Sequence, residues 1–213
     1  LYFMLGLPTE TMDDIEGIIN LVAKIRAAGG QGKGKRLQAR VSLATFIPKP
    51  HTPFQWVAQE NEDQLVARHE RLQQGLHRLG TRLAWSDPKV SQLEAALSRG
   101  DRRIGRVIHR AWQLGATFDA WGECFNHTHW LRAFTECGLD PAFYNRQRPL
   151  DERLPWDHID AGVTPAFLKA EYRRSLEGQS TPDCRYQECS SCGLQRWQAS
   201  CRQRAVEITD SRR

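Results

Sequence analysis

The 213-residue sequence predicts an α/β fold that gives way to a mostly helical carboxyl-terminal region. Three observations predict it. Leu1–Leu5 is an unbroken apolar run of strand length, residues 12–28 repeat apolar side chains at helical spacing, and residues 37–47 alternate apolar with mixed positions as a strand does. Strand, helix and strand in that order give a parallel pair joined by a right-handed crossover, the repeating unit of α/β barrels and doubly wound sheets.

The opening run Leu1-Tyr2-Phe3-Met4-Leu5 passes straight into a Gly6-Leu7-Pro8 turn and then into Thr9-Glu10-Thr11, an acidic helix start. A strand at residue 1 with no upstream partner and no initiator Met sets the expectation that this is the downstream part of a longer protein. In the helix that follows, Thr11 and Asp14 make a start resembling a capping box, and Asp13, Asp14 and Glu16 suit the positive end of the helix dipole. Ile15, Ile18, Leu21, Val22 and Ile25 recur on one face, with Lys24 and Arg26 in the last turn and Gly29-Gly30 as the stop.

The segment from Gly29 to Arg36 nearly spells a phosphate-binding loop. It fails because Arg36 stands where a Ser or Thr is needed for magnesium, and because the loop follows a helix and precedes a strand. A crossover connection is the reading taken. The strand over 37–47 ends in Pro48-Lys49-Pro50-His51-Thr52-Pro53-Phe54-Gln55-Trp56, where three prolines forbid further sheet and stiffen a loop at a strand's carboxyl end. Such loops carry the sites of α/β folds.

A second helix begins at Asn61, carries Leu65, His69, Leu72, Leu76 and Leu79 on one stripe and stops at Gly80; a short strand, Arg82–Trp85, follows. His69 among leucines is read as a core residue. Beyond Asp87-Pro88 the chain is punctuated into helices ending at Gly100, Gly115, Gly138 and Gly178, the last entered through Thr164-Pro165. The predicted divisions are residues 1–86 as the α/β part, 87–180 as a helical accessory region and 181–213 as a cysteine-rich tail.

Charge and length narrow the classes. No apolar run approaches the roughly 20 residues that span a bilayer, and residues 1–30 lack the order of a signal peptide, so a cytoplasmic protein without a membrane contact is expected. A net charge of +5 over this length permits an anionic partner but does not require one. Arg99, Arg102, Arg103, Arg106 and Arg110 fall at three- and four-residue steps opposite Ile104, Val107, Ile108 and Ala111, which suits either phosphates of RNA or a solvated helix face.

Three clusters could carry chemistry. Glu123-Cys124-Phe125-Asn126-His127-Thr128-His129 groups metal-ligand types but lacks a second half, so a helix entry is preferred. Trp156-Asp157-His158-Ile159-Asp160 sets an acid on either side of a His, as a proton-transfer site or a polar loop would. In the tail, Cys184, Cys189 and Cys192 are spaced so that two sulfurs of the Cys-x-x-Cys pair can meet one ion, with Cys201 as a fourth thiolate; zinc or an iron–sulfur cluster is the expected metal, and reduced surface thiols are the other reading.

The Gly-Leu-Pro-x-Glu-Thr turn, together with Phe46-Ile47-Pro48-Lys49-Pro50-His51-Thr52-Pro53-Phe54-Gln55-Trp56, resembles the later strands of a radical S-adenosylmethionine (radical SAM) barrel. Leu97–Arg103, Leu154–Asp160 and Thr181–Arg185 are similar to the carboxyl-terminal region of an uncharacterised family of radical SAM proteins with a cobalamin-binding domain. The resemblance extends over essentially the whole chain. It implies the last strands and helices of a partial (β/α) barrel, with S-adenosylmethionine and a [4Fe-4S] cluster as cofactors and cobalamin as a further one in the full-length protein. It also implies that Gly6, Leu7 and Pro8 lie beside S-adenosylmethionine and that Phe46, Ile47 and Pro48 bracket its adenine. The Cys-x3-Cys-x2-Cys loop that would hold the cluster is not in this sequence, so the chain alone is expected to be inactive, its partner being the upstream part of the same polypeptide. The family continues Cys-Gly-x-Cys, whereas Cys192-Gly193-Leu194 is followed by Gln195. The competing class is an RNA- or protein-binding module, built on the basic helix and a zinc-type tail, without catalysis.

Overall fold

The computed structural model describes residues 1–29, 38–198 and 201. Residues 30–37, with most of the near phosphate-binding loop and the Leu37 start of the expected strand, lie outside the described residues, as do 199, 200 and 202–213. In chain order the described strands and α-helices are β1 (Tyr2–Leu5), α1 (Met12–Gly29), β2 (Arg40–Thr45), α2 (Glu62–Arg78), β3 (Arg82–Trp85), α3 (Pro88–Ser98), α4 (Ile104–Gln113), α5 (His127–Glu136), α6 (Pro141–Asn145) and α7 (Pro165–Leu176), followed by a 3-10 turn at Leu194–Arg196. The fold is mixed α/β.

The chain forms two compact units. Leu1–Ile47 and Ala58–Arg146 make the first, and Pro48–Val57 with Gln147–Arg213 the second. Neither unit follows the divisions read from the sequence. The helices after residue 86 are shared between them, α3 to α6 in the first and α7 in the second.

In the first unit the three strands are parallel and lie in the order β1-β2-β3. Leu5 pairs with Thr45, and Leu43 pairs with both Phe3 and Trp85, so side chains alternate in register across the sheet. One face carries Leu5, Val41 and Leu43 into a core completed by Ile15 and Val22 of α1 and by Leu72 and Leu76 of α2. Both crossover helices therefore cover the same face. They approach closely, for a Cβ on Gly75 would lie 2.4 Å from Ile19 Cδ1. The opposite face holds Tyr2, 90% exposed, and Met4, 47% exposed, with Ala44 and Ala84 also exposed.

Capping follows the sequence. The amide and hydroxyl of Thr11 both donate to Asp14 Oδ2, which holds the Asp14 carboxyl below its ordinary range. Asn61 accepts from the Gln64 amide, Asp87 from Lys89, Asn126 from Thr128 and Thr164 from Phe167. His69 is buried and stacks on Trp85 with ring centroids 4.9 Å apart; burial pushes its pKa down.

A second core in this unit joins α3 to α6 through Leu93, Ile104, Val107, Trp130, Phe134 and Tyr144. The other unit is organised by Trp56, Leu154, Trp156 and Leu168. Its proline-rich loop is locked by Gln55, whose Oε1 accepts from the His51 amide at 3.0 Å and from Trp156 Nε1 at 2.7 Å, while the Arg148 guanidinium lies 5.2 Å over the Trp156 ring. Among the described residues no helix is long and apolar enough to cross a membrane.

Candidate functional site

The parallel register fixes what emerges at the carboxyl ends of β1 and β2. Because Leu5 pairs with Thr45 and the Phe46 amide donates to the Leu5 carbonyl at 2.7 Å, the Gly6-Leu7-Pro8 turn and Phe46 leave the sheet side by side. Gly6 is buried with φ +82, a left-handed conformation that favours glycine. Leu7 is 38% exposed, Pro8 and Ile47 are half-buried, and Phe46 is 8% exposed. Pro48 is buried and belongs to the other unit.

Beside Gly6 stands a group of charges that the sequence reading passed over. The Gly6 amide donates to Glu10 Oε1 at 3.2 Å, and Arg68 of α2 pairs with Glu10 and, at 2.7 Å, with Glu60. The side chains are only 14%, 7% and 11% exposed for Arg68, Glu10 and Glu60 respectively. Glu60 Oε2 is buried with no partner among the described residues, and a Cβ on Gly6 would come within 3.2 Å of it. Thr45 Oγ1, at the end of β2, is likewise buried and unpartnered. Glu10 was legible only as a helix-start acid; the helical stripe of α2 drew attention to leucines, and Arg68, next to His69, gave no signal without the fold.

Burial raises the Glu60 pKa more than Arg68 lowers it, and Glu10 raises it further. A carboxyl whose folded pKa is raised binds its proton more tightly in the folded state. Folding stability therefore carries a penalty above the raised value that is relieved as pH falls toward the unfolded value. Glu60→Gln is expected to raise the urea midpoint at pH 7, with the gain vanishing below about pH 4.5, the unshifted carboxyl value. A lower midpoint at pH 7 would show that the Arg68 pair outweighs burial.

In the second unit a cleft of about 510 Å³ is lined by His51, Trp56, Asp157, His158, Asp160 and Lys169, among others. The two acids flanking His158 do not serve it: Asp157 Oδ2 accepts from the Leu154 amide at 2.7 Å, and Asp160 Oδ1 from the Gly162 amide at 2.8 Å. They cap their own loop.

Cys184, Cys189, Cys192 and Cys201 are free thiols of intermediate burial, and Cys124 is exposed. Among the described residues no three His, Cys, Asp or Glu side chains are gathered as a metal ion requires. Neither the tail nor the Glu123–His129 segment is brought together in this way. The donor types in the tail suit a soft metal, but their placement does not assemble a site. What holds the tail is backbone: the Thr164 amide donates to the Cys192 carbonyl at 2.8 Å, and a Cβ on Gly193 would lie 2.6 Å from the Gly162 carbonyl oxygen.

The basic row is corrected by burial. Arg99 is fully buried, and its Nη2 donates to the Arg146 carbonyl at 3.0 Å, so it cannot reach a phosphate. Arg103 pairs with Asp101, Arg110 pairs with Glu136, and Arg102 and Arg106 are exposed.

No family model matches the chain, and no solved structure matches it. The chain is similar to an uncharacterised protein of Methanocaldococcus jannaschii, 31% identical over 108 residues. The match covers 51% of this chain and 22% of the archaeal protein, so the chain spans about a fifth of that relative's length.

Proposed function

We propose that the chain is the carboxyl-terminal portion of a radical SAM enzyme, comprising the last units of a partial (β/α) barrel and a largely helical appendage. The observation that carries this reading is the sheet. Its strands run in sequential order with both crossover helices on one face, as in a barrel, where a doubly wound sheet would place helices on both. Parallel sheets are ordinarily covered on both faces, yet here Tyr2 and Met4 are bare. A closed barrel would turn that face inward.

The strand ends suit the cofactor. Phe46 offers an apolar surface, the Gly6 turn brings backbone close, and Thr45 Oγ1 and Glu60 Oε2 are buried polar atoms awaiting partners. Glu60 and Thr45 would hold donor groups of S-adenosylmethionine, and Phe46 with Ile47 would flank its base. When bound and reduced through its cluster, S-adenosylmethionine supplies a 5′-deoxyadenosyl radical; the cluster cysteines are not in this sequence.

The reading is tested on the full-length polypeptide prepared without oxygen. It is expected to contain an upstream Cys-x3-Cys-x2-Cys loop, and to lose S-adenosylmethionine affinity about tenfold or more in equilibrium dialysis on Gly6→Val or Phe46→Ala, with cluster absorbance retained. A polypeptide without that loop, or unchanged affinity in both variants, would sink the proposal.

A further inference from the structure

A groove of about 520 Å³ in the first unit is formed by Gly105, Ile108, His109 and Trp112 of α4 against Phe118, Asp119 and Trp130. Residues 105, 108, 109 and 112 are one helical stripe, so the groove runs along α4. Its walls are aromatic and open to solvent. Trp112 is 61% exposed and Phe118 75% exposed, with Trp121, 63% exposed, nearby in the chain. His109 stacks on Trp112 with centroids 5.8 Å apart. Phe118 has φ +60, a conformation rare for a bulky residue, and it holds a large apolar ring in water.

Two polar atoms of the lining are buried without a partner among the described residues: Trp130 Nε1, on a residue 7% exposed, and Asp119 Oδ1. One is a donor only. The other, on an ionised carboxylate, is an acceptor only. Outside the lining, Arg106 lies three residues before His109 on α4 and Arg102 just before that helix; both are exposed, and no acidic side chain pairs with either among the described residues. Flat aromatic faces, a donor and an acceptor, with two exposed arginines close by in the chain, match a nucleotide in an unpaired strand: base on ring, base carbonyl on the indole N–H, hydroxyl on the carboxylate, phosphate on arginine. A protein partner would use the aromatic rings but not this set of unpartnered atoms beside cations. The ribose 2′-hydroxyl is the donor that DNA lacks.

We propose that this groove binds single-stranded RNA, one base stacking on Trp112 or Phe118, with Asp119 Oδ1 accepting from a 2′-hydroxyl and Arg102 and Arg106 neutralising phosphates. The site is separate from the strand ends and does not rest on the radical SAM reading. Fluorescence anisotropy with a labelled RNA of about ten nucleotides at about 50 mM salt tests it. Trp112→Ala and Phe118→Ala are each expected to weaken binding by about tenfold or more, and Trp112→Tyr to keep most of it. Arg102→Gln and Arg106→Gln should each reduce the salt slope by about 0.7. Asp119→Ala, which removes the acceptor, should narrow the preference over a DNA strand of the same sequence.

These side chains are exposed or half-buried, and circular dichroism of each variant is the control for folding. No anisotropy change, duplex RNA bound as tightly as single-stranded RNA, equal affinity for the DNA strand, or unchanged binding in both aromatic variants would overturn the proposal. The first of these outcomes leaves the groove to a protein partner.

Discussion

Arg68→Met is expected to lower the unfolding free energy by about 3–5 kcal/mol at pH 7, because it strips the shared cation from two carboxylates that stay in the protein. Arg68 pairs with both Glu10 and Glu60, and all three side chains are at most 14% exposed. Methionine keeps much of the apolar stem, so the loss reports charge more than volume. The geometry adds a second effect. Arg68 Nη2 also donates to the Glu10 carbonyl at 3.3 Å, and Glu10 Oε1 in turn holds the Gly6 amide. Removing the arginine therefore loosens the turn at the end of β1 as well as the segment that enters α2. Without the cation the Glu60 carboxyl loses the charge that lowers its pKa, so the folded variant takes up a proton more readily and its deficit shrinks as pH falls from 7 toward 4. The comparison is Arg71→Met, whose partner Glu16 is 39% exposed and whose ion pair is worth at most about 1 kcal/mol. Urea titrations of both variants at pH 7 and pH 5 decide it. Equal losses, or an Arg68→Met deficit that does not shrink at pH 5, would mean that the buried triad is no more important than a surface pair.

Much of this architecture was legible in the sequence because it is written at short range. The stops at Gly80 and Gly178, the caps at Asn61, Asp87 and Thr164 and the strand at Arg82–Trp85 depend on a few neighbouring residues, and the structure places them as read. The register that brings Gly6 to Phe46 follows from pairing two short parallel strands. What was not legible is long-range. Glu10 and Arg68 are 58 residues apart and become a pair only when α2 crosses the sheet. The acid–His–acid run at Asp157–Asp160 was locally suggestive, yet both acids satisfy backbone amides three or two residues away, which spacing alone does not distinguish from proton transfer. The expected strand over 37–47 narrows to Arg40–Thr45, since pairing with β1 and β3 defines it and residues 46 onward turn away into the loop. α6 was missed: five residues behind Asp140-Pro141 are too few to show a period.

Helical spacing also placed Arg99 in a basic row, and its burial yields the other large effect. Arg99→Ala is expected to destabilise the protein by about 3–4 kcal/mol, whereas Arg106→Ala, on an exposed position of α4, should change stability by no more than about 0.5 kcal/mol. Arg99 sits at the carboxyl end of α3 with none of its surface exposed, its own amide donating to the Ala95 carbonyl and its guanidinium to the Arg146 carbonyl. Alanine would empty the space of a long side chain and leave a carbonyl near α6 without its donor, so two costs of separate origin add. Lysine separates them. Arg99→Lys fills most of the volume and keeps the charge, but an ammonium cannot reproduce the planar fork of donors, so an intermediate loss is expected. If both substitutions are as mild as Arg106→Ala in thermal and urea unfolding, Arg99 belongs with the surface arginines after all. If Arg99→Ala alone is severe, the residue is a fixed strut between α3 and the end of α6, and any RNA binding along α4 must survive on Arg102 and Arg106.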